Sequence, residues 1–252
     1  MASLTKIAKE QVFQSALRRT IPGTPPAIFR GIVKSKHMHA CTSRGEDFYY
    51  IDTGYFGNFV SRGNLQGVKL YHRIVKNQLQ KSVIEKRPAD RWQALVKGDA
   101  RLGWPGWKKQ GNKILLIISN SKSGKHFDYD IPNWINTTIA TIKKHTDMQI
   151  IIRHKGSRSE RQTKNIYQQL DQGVFATVAF NSIAAIESIA YGVPAFVTVS
   201  CAASPLALTD LAKITTPWYP DPNLVAQHCH SLAYGQFTFK EICDGTAWRF
   251  IK

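Results

Sequence analysis

Short apolar runs alternate with stretches of helical character through the second half of the chain, and this alternation constrains the fold more than any other feature. The apolar runs are Ile114–Ser119, Met148–Arg153, Phe175–Phe180 and Pro194–Ser200. The segments with helical character are 132–144, 160–172 and 182–191. Strands that are separated by helices of this length are typical of βαβ units. The sequence therefore predicts an α/β fold with a parallel sheet, whose ligands bind at the carboxyl ends of the strands.

The first half of the chain is less regular. We expect strands at Ala27–Val33 and Phe48–Ile51, with glycine, lysine and arginine scattered between them. Tryptophans surround a stretch at 98–111 that is rich in glycine and proline, which we interpret as a linker. This linker predicts two domains, one at 1–112 and one at 113–252 that ends in helices.

Length and composition favour a folded protein with an ordinary core. The chain has 252 residues, 43% of them hydrophobic, and no apolar run reaches the roughly 18 residues that span a bilayer. The N-terminus lacks the apolar region of a secretory signal. The four cysteines form no CxxC pair. Cys229 lies between two histidines, but adjacent residues on a helix point in different directions, so the three side chains do not favour a metal site. We therefore expect free thiols, a cytoplasmic location and no metal site.

Positive charge is concentrated in the first half. The formal net charge is +17, and residues 1–112 contain 20 Lys and Arg against seven Asp and Glu, while residues 113–252 contain 14 against ten. A charge of this size exceeds what solubility requires and favours a polyanionic partner, either nucleic acid or an anionic membrane surface. The first 20 residues also have the spacing of a short amphipathic helix, for which packing on its own domain is favoured over a peripheral membrane anchor.

The segment from Phe175 to Ser200 carries the most specific signal for a binding site. Asn181 and Ser182 lie where a strand becomes a helix, so backbone N–H groups and the positive end of the helix face the expected cleft. Glu187 follows inside an otherwise apolar helix, where a carboxylate is costly unless it is paired or binds a ligand. It is suited to accept hydrogen bonds from ribose hydroxyls, or alternatively forms a salt bridge on the exposed side of the helix.

The segment Asn181–Pro194, which reads NSIAAIESIAYGVP, resembles the donor-site helix of GT-B glycosyltransferases, and most of all capsule-type, sialyltransferase-like and related phage enzymes. The segments 234–239 and 244–248 also resemble phage glycosyltransferase-like proteins. The resemblance covers roughly residues 113–252. It implies two Rossmann-like lobes that face a central cleft, a nucleotide-sugar donor that is uridine-based, and no catalytic metal or other cofactor. It further implies that Glu187 holds the ribose while Asn181 and Ser182 approach the diphosphate.

Two further segments are expected to reach the same cleft. Arg153, Lys155 and Arg161 follow the second strand of the parallel sheet and are suited to stabilise a diphosphate leaving group. Ser119 and Ser121 follow the first strand in a segment of small hydroxyl residues that is suited to cradle phosphate through backbone N–H groups. This segment fails two required positions of the P-loop pattern, which makes a kinase or ATPase a weak alternative.

A catalytic base is expected from the first half. Asp52 ends an apolar strand before Thr53 and Gly54, which places a carboxylate at the mouth of the predicted cleft, although such an Asp also commonly forms a turn with its own backbone. His72 is a rival base. The residues expected to contact the acceptor are Tyr55, Arg62, Arg73 and Asn77.

Three functions follow from these interpretations. The first is a glycosyltransferase that modifies DNA carrying a 5-hydroxymethylated pyrimidine, as in phages, since phosphate contacts dominate DNA affinity and exposed aromatic residues can hold a flipped base. The second is a glycosyltransferase that acts on a surface polysaccharide or lipid-linked acceptor at an anionic membrane. The third is a DNA-binding protein without catalysis.

Overall fold

The computed structural model describes residues 15, 17, 26–32, 35–57, 71–154 and 165–251. Three of the expected site residues, Arg62, Lys155 and Arg161, lie outside this part of the chain. So does the expected N-terminal helix, apart from Ser15 and Leu17, which are helical.

The described residues form two four-stranded sheets and surrounding helices. The strands are β1 (Ala27–Arg30), β2 (Phe48–Thr53), β3 (His72–Lys76), β4 (Lys113–Ile117), β5 (Gln149–Arg153), β6 (Val174–Ala179), β7 (Ala195–Val197) and β8 (Gln236–Phe237). The α-helices are α1 (Ser35–Ser43), α2 (Asp90–Gly98), α3 (Ser121–Phe127), α4 (Ile131–His145), α5 (Ile166–Leu170), α6 (Ile183–Ala190), α7 (Pro222–Ala233) and α8 (Phe239–Cys243). Short 3-10 helices lie at Ala100–Leu102, Ser204–Leu206, Leu211–Lys213 and Ala247–Arg249.

The second sheet confirms the parallel α/β arrangement that the sequence predicts. Its order is β5-β4-β6-β7, and all three neighbouring pairs are parallel. Strands β4 and β6 are central and almost fully buried because helices cover both faces, which explains their continuous apolar sequence. The carboxyl ends of β4, β5 and β6 meet at one edge, and this edge carries the candidate site.

The first sheet is mixed, with the order β1-β2-β3-β8. Strands β1 and β2 are parallel, whereas β3 is antiparallel to both β2 and β8. Within the described part of this first sheet, the parallel pairing of a Rossmann-like sheet is therefore found only between β1 and β2. Strand β1 is also shorter than expected, since the chain turns at Gly31 with a φ of 68°.

The end of the chain returns to the first sheet. Strand β8 pairs with β3 in the register His72–Phe237. Ile242, Ala247 and Ile251 then bury their side chains in one cluster with apolar residues of the first sheet. The sequence pattern assigns residues 236–251 to the second half, but their apolar side chains complete the core of the first sheet.

The segment expected to be a linker is packed against the second sheet and its helices. Trp104 and Trp107 contact each other edge to face and lie against the main core cluster. The backbone N–H of Lys108 donates to the carbonyl of Gly192, at the end of α6, over 2.7 Å. The connection is therefore held by side-chain packing and backbone hydrogen bonds, and it brings charged residues of its own to the site. Within the described ranges, no helix is both long and apolar enough to cross a bilayer.

Candidate functional site

A cavity of about 610 Å³ lies where residues of the two sheets meet. One wall comes from the carboxyl ends of β4, β5 and β6 and from the beginnings of α3 and α6, and the opposite wall comes from β2 and β3. The residues expected from sequence that line it are Asp52, Arg73, Ser119, Arg153, Asn181, Ser182 and Glu187. Residues from both halves of the sequence are therefore brought together at one site.

Asn181 ties the ends of two central strands together. Its side-chain oxygen accepts hydrogen bonds from the hydroxyls of Ser119 and Ser123, each over 3.1 Å. Its backbone carbonyl accepts from the side-chain amide of Gln80 over 2.5 Å, and the other side-chain atom of Gln80 accepts from the N–H of Ala202. The buried Asn181 thus lines the cavity and connects it to Gln80 in the first half of the chain. The sequence did not predict that Gln80 reaches this site.

Ser182 begins helix α6 and lines the cavity. Its hydroxyl accepts from the N–H of Ala184 over 3.2 Å, so it satisfies one of the free N–H groups at the helix start. The expected strand-to-helix turn is therefore present, with the positive end of α6 beside the cavity. This geometry can stabilise an anionic group such as a phosphate.

Glu187 lies one turn further along α6 and also lines the cavity. Burial raises the pKa of its carboxyl to about 7, while Arg153 and Arg101 oppose this rise and Asp99 adds to it. A carboxyl with a pKa near neutrality can exchange a proton or accept hydrogen bonds from hydroxyls at physiological pH. Glu187 is thus half-buried at the cavity.

The connecting segment supplies an ion pair next to Glu187 that the sequence analysis does not identify. Arg101 binds Asp99 through two hydrogen bonds of 2.6 Å, and its guanidinium lies 4.9 Å from the ring centre of Tyr167. All three residues line the cavity. The glycine- and proline-rich composition of the segment suggests only a linker, and the spacing Asp99-Ala-Arg101 carries no signal that distinguishes it from a surface ion pair.

Arg153 ends strand β5 and reaches the cavity, as expected. One of its terminal nitrogens donates to the side-chain oxygen of Gln169. Burial lowers the pKa of the guanidinium, and the carboxyl of Glu187 opposes this effect. An arginine always remains charged at neutral pH. Arg153 therefore brings a positive charge to the carboxyl end of the sheet beside Glu187.

The segment after β4, for which the sequence predicts backbone N–H groups that cradle phosphate, forms helix α3. The side chain of Asn120 accepts from the N–H of Ser123 over 3.0 Å and caps the helix. Asn120, Lys122 and Ser123 line the cavity, whereas Ser121 is exposed and does not. In this segment, the cation that lines the cavity is therefore Lys122, which follows the predicted Ser121.

Asp52 lies on the opposite wall and is held by several hydrogen bonds. One carboxylate oxygen accepts from the hydroxyl of Tyr50 over 3.0 Å, and Arg73 approaches the same oxygen to 3.5 Å. The other oxygen accepts from the N–H of Thr53 over 2.7 Å. The turn with its own backbone, which the sequence leaves as an alternative, is thus combined with a position at the cavity.

Three other expected residues do not reach the cavity. His72 pairs across the sheet with Thr53, next to the pair Arg73–Asp52, and alternation along the strand turns its side chain to the opposite face. Tyr55 is fully buried, and its hydroxyl accepts from the N–H of Lys81. Asn77 occupies a turn with a φ of 58°, where its side chain binds the backbone of Phe48. In this structure, Tyr55 and Asn77 form hydrogen bonds with backbone groups and do not line the cavity.

No cluster of three or more His, Cys, Asp or Glu side chains with metal-binding geometry occurs among the described residues. Cys229 is buried, and the ring of the neighbouring His228 binds the carbonyl of Ala202. Burial lowers the pKa of His228 to about 4. This histidine is neutral at physiological pH and serves packing of the loop that follows β7.

No family model matches the sequence, and no curated protein shows detectable similarity to it. Among solved structures, the chain is similar to KpsC of Thermosulfurimonas dismutans, described as a beta Kdo 2,4 transferase. The TM-score is 0.50 with 12% sequence identity, and the alignment covers 89% of this chain and 86% of the other. The similarity extends over most of both chains and shows that this chain shares the α/β fold of that structure.

Proposed function

We propose that the protein is a glycosyltransferase of the GT-B type, which transfers a sugar from a nucleotide-sugar donor to a hydroxyl group of an acceptor. The observation that carries this proposal is that a helix start, Arg153 and Glu187 lie on one wall of a single cavity while Asp52 lies on the other. The wall formed by the second sheet offers groups suited to a nucleotide, and the opposite wall offers a base. The two sheets would be the two lobes of such an enzyme, and a UDP-sugar is the first donor to test.

The residues of this cavity divide the reaction between them. Glu187 accepts hydrogen bonds from the ribose, and the beginning of α6 at Ser182 faces the phosphates. Asp52 takes the proton from the acceptor hydroxyl as its oxygen forms the new bond to the sugar carbon. The bond from that carbon to the phosphate oxygen breaks, and the nucleotide leaves with the electron pair. Arg153 stabilises the negative charge that grows on the leaving phosphate.

A saccharide hydroxyl is the acceptor that the observations favour. KpsC, which has a similar fold, is described as a beta Kdo 2,4 transferase. The residues that the sequence offers for DNA contact give little support in the described structure, since Arg73 is 6% exposed and Tyr55 is fully buried. A buried tyrosine cannot stack on a flipped base.

DNA that carries a hydroxymethylated pyrimidine is the second candidate acceptor, and the net charge of +17 favours it. Eight of the thirteen described Lys and Arg residues up to residue 112 are paired with carboxylates, namely Arg44, Arg73, Lys76, Lys81, Arg87, Arg91, Arg101 and Lys108. These pairs reduce the positive field that the described surface offers to a phosphate backbone.

One experiment tests the reaction and separates the acceptors. The protein is incubated with UDP-, GDP- and CMP-linked sugars, together with either oligosaccharides or hydroxymethylcytosine DNA, and products are identified by mass. Sugar added to an oligosaccharide supports the first acceptor, and a glycosylated nucleoside supports the second. Binding of DNA that weakens steeply with salt, without donor binding or turnover, would instead identify a DNA-binding protein without catalysis.

A further inference from the structure

We propose that Arg73 and Tyr50 are positioning residues that orient the carboxylate of Asp52 and keep it ionised. This inference rests on the proposed function and deepens it, because it assigns Arg73 to the base and not to the acceptor. The three residues line the same wall of the cavity on neighbouring strands.

Two donors converge on a single oxygen of Asp52. The hydroxyl of Tyr50 lies two residues earlier on the same strand, and therefore on the same face, and donates over 3.0 Å. A terminal nitrogen of Arg73 lies 3.5 Å from the same oxygen, in the cross-strand pair Asp52–Arg73. Donors that converge from two strands fix both the rotation of the carboxylate and its charge, since each favours the ionised form.

Arg73 is itself held in place by the fold. Its side chain is 7% exposed, its Nε donates to the carbonyl of Leu79 over 2.9 Å, and a terminal nitrogen donates to the carbonyl of Thr53. Its guanidinium also lies 5.5 Å and 5.8 Å from the ring centres of Tyr50 and Tyr55. A guanidinium with these partners is committed to protein atoms. It is rigid enough to position a neighbour and has little capacity left to hold a phosphate.

Among the described residues, the other charged groups that line the cavity lie on the opposite wall. They are Asp99, Arg101, Lys122, Arg153 and Glu187. Asp99 and Arg101 neutralise each other through their two hydrogen bonds. On the wall of Asp52 itself, the positively charged guanidinium of Arg73 is in direct contact with the carboxylate. Its removal is therefore expected to make Asp52 easier to protonate.

The test compares Tyr50→Phe, Arg73→Lys and Arg73→Met with the native protein. The titration midpoint of Asp52 is followed by carbon NMR of its carboxyl group, assigned with Asp52→Asn, and the acid limb of the kcat/KM profile is measured in parallel. We expect Arg73→Met to raise the midpoint by about one pH unit, with a smaller rise in Tyr50→Phe and most of the native value retained in Arg73→Lys. The acid limb should move by the same amounts.

Arg91→Met is the matched control. Arg91 is also a partly buried arginine that binds a carboxylate, Glu241, and the carbonyls of Ala233 and Gln236, but it lies outside the cavity. Its loss is expected to lower the melting temperature without moving the midpoint of Asp52. An equal movement in Arg91→Met, or no movement in Tyr50→Phe and both Arg73 variants, would overturn the proposal. If Arg73→Met fails to fold, Tyr50→Phe still decides it, because an unmoved midpoint in that variant would overturn the proposal.

The NMR titration needs no turnover, so it tests the positioning of Asp52 independently of the proposed sugar transfer. A shifted midpoint in a protein that transfers no sugar would refute the proposed function and leave the positioning of Asp52 intact. Native transfer with an unshifted midpoint would do the reverse.

Discussion

Among the residues of the cavity, Glu187 is the one whose protonation would bear most directly on the proposed binding of the donor. Burial raises its pKa to about 7, and Arg153 and Arg101 limit the rise. In the proposed complex, the ionised carboxylate is the form that accepts hydrogen bonds from the ribose. Since the pKa of the Glu187 carboxyl is raised above its usual range to about 7, the group is largely protonated below pH 7 and largely ionised above it.

Donor affinity should therefore increase with pH across neutrality. Between pH 6 and pH 8 the ionised fraction of Glu187 rises by about tenfold, and we expect the association constant for the nucleotide-sugar to rise by a similar factor in calorimetry. Glu187→Gln cannot ionise, and its affinity should be lower at pH 8 and flat over this range. An equally steep pH dependence in Glu187→Gln would show that another group is responsible.

Some residues that line the cavity could be predicted from the sequence, and others could not. The pattern from Asn181 to Glu187 places three residues at the cavity, because a strand-to-helix junction and a buried acid are local features. The same reasoning misses Gln80 and Asp99, which reach the site only through the packing of distant segments. It also assigns an acceptor role to Tyr55, since sequence does not distinguish a buried tyrosine that binds a backbone N–H from an exposed one.

At the scale of elements, the end of α6 is locked to the connecting segment at Gly192. This glycine has a φ of 83°, and a Cβ placed on it would lie 2.1 Å from the carbonyl oxygen of Gly106. The close approach allows the N–H of Lys108 to reach the carbonyl of Gly192. Helix α6 carries Glu187, so this contact holds one wall of the cavity against the segment that supplies Asp99 and Arg101.

Gly192→Ala should consequently be strongly destabilising. It combines the strain of a left-handed residue, about 1 kcal/mol, with a backbone clash, so we expect a loss of at least about 2 kcal/mol in the free energy of unfolding. Gly45→Ala is the matched control, since Gly45 has a φ of 68° and open space around its Cβ position. It should show the strain alone in denaturant titrations. Equal losses in the two variants would contradict the close packing at Gly192.

The elements of the second sheet could be predicted because each is encoded locally, by an apolar run or by helix boundary residues. The first sheet could not be predicted in the same way. Its strand β8 has two residues and is separated from β3 by 159 intervening residues, so this antiparallel pair depends on contacts between distant parts of the chain. The sequence pattern also did not predict the short helix α3.

In the whole molecule, each half of the sequence contributes residues that contact the other half. Gln80 binds the backbone at Asn181 and at Ala202, and the C-terminal residues from Gln236 onward pack on the first sheet. The cavity lies between parts joined by these contacts. Both walls are needed for the proposed reaction, because the donor groups and the base come from different sheets.

The most direct test of the central claim is the rate at which nucleotide is released from the active nucleotide-sugar in the presence of acceptor, measured for the native protein and for Asp52→Asn. The account predicts that nucleotide release is at least about a hundredfold slower in Asp52→Asn, as expected for loss of a general base. It also predicts that donor affinity is unchanged within about threefold, because Asp52 lies across the cavity from the proposed donor-binding groups. Equal release rates in the two proteins would contradict the role of Asp52, and a native protein that binds none of the nucleotide-sugars would contradict the assignment as a glycosyltransferase.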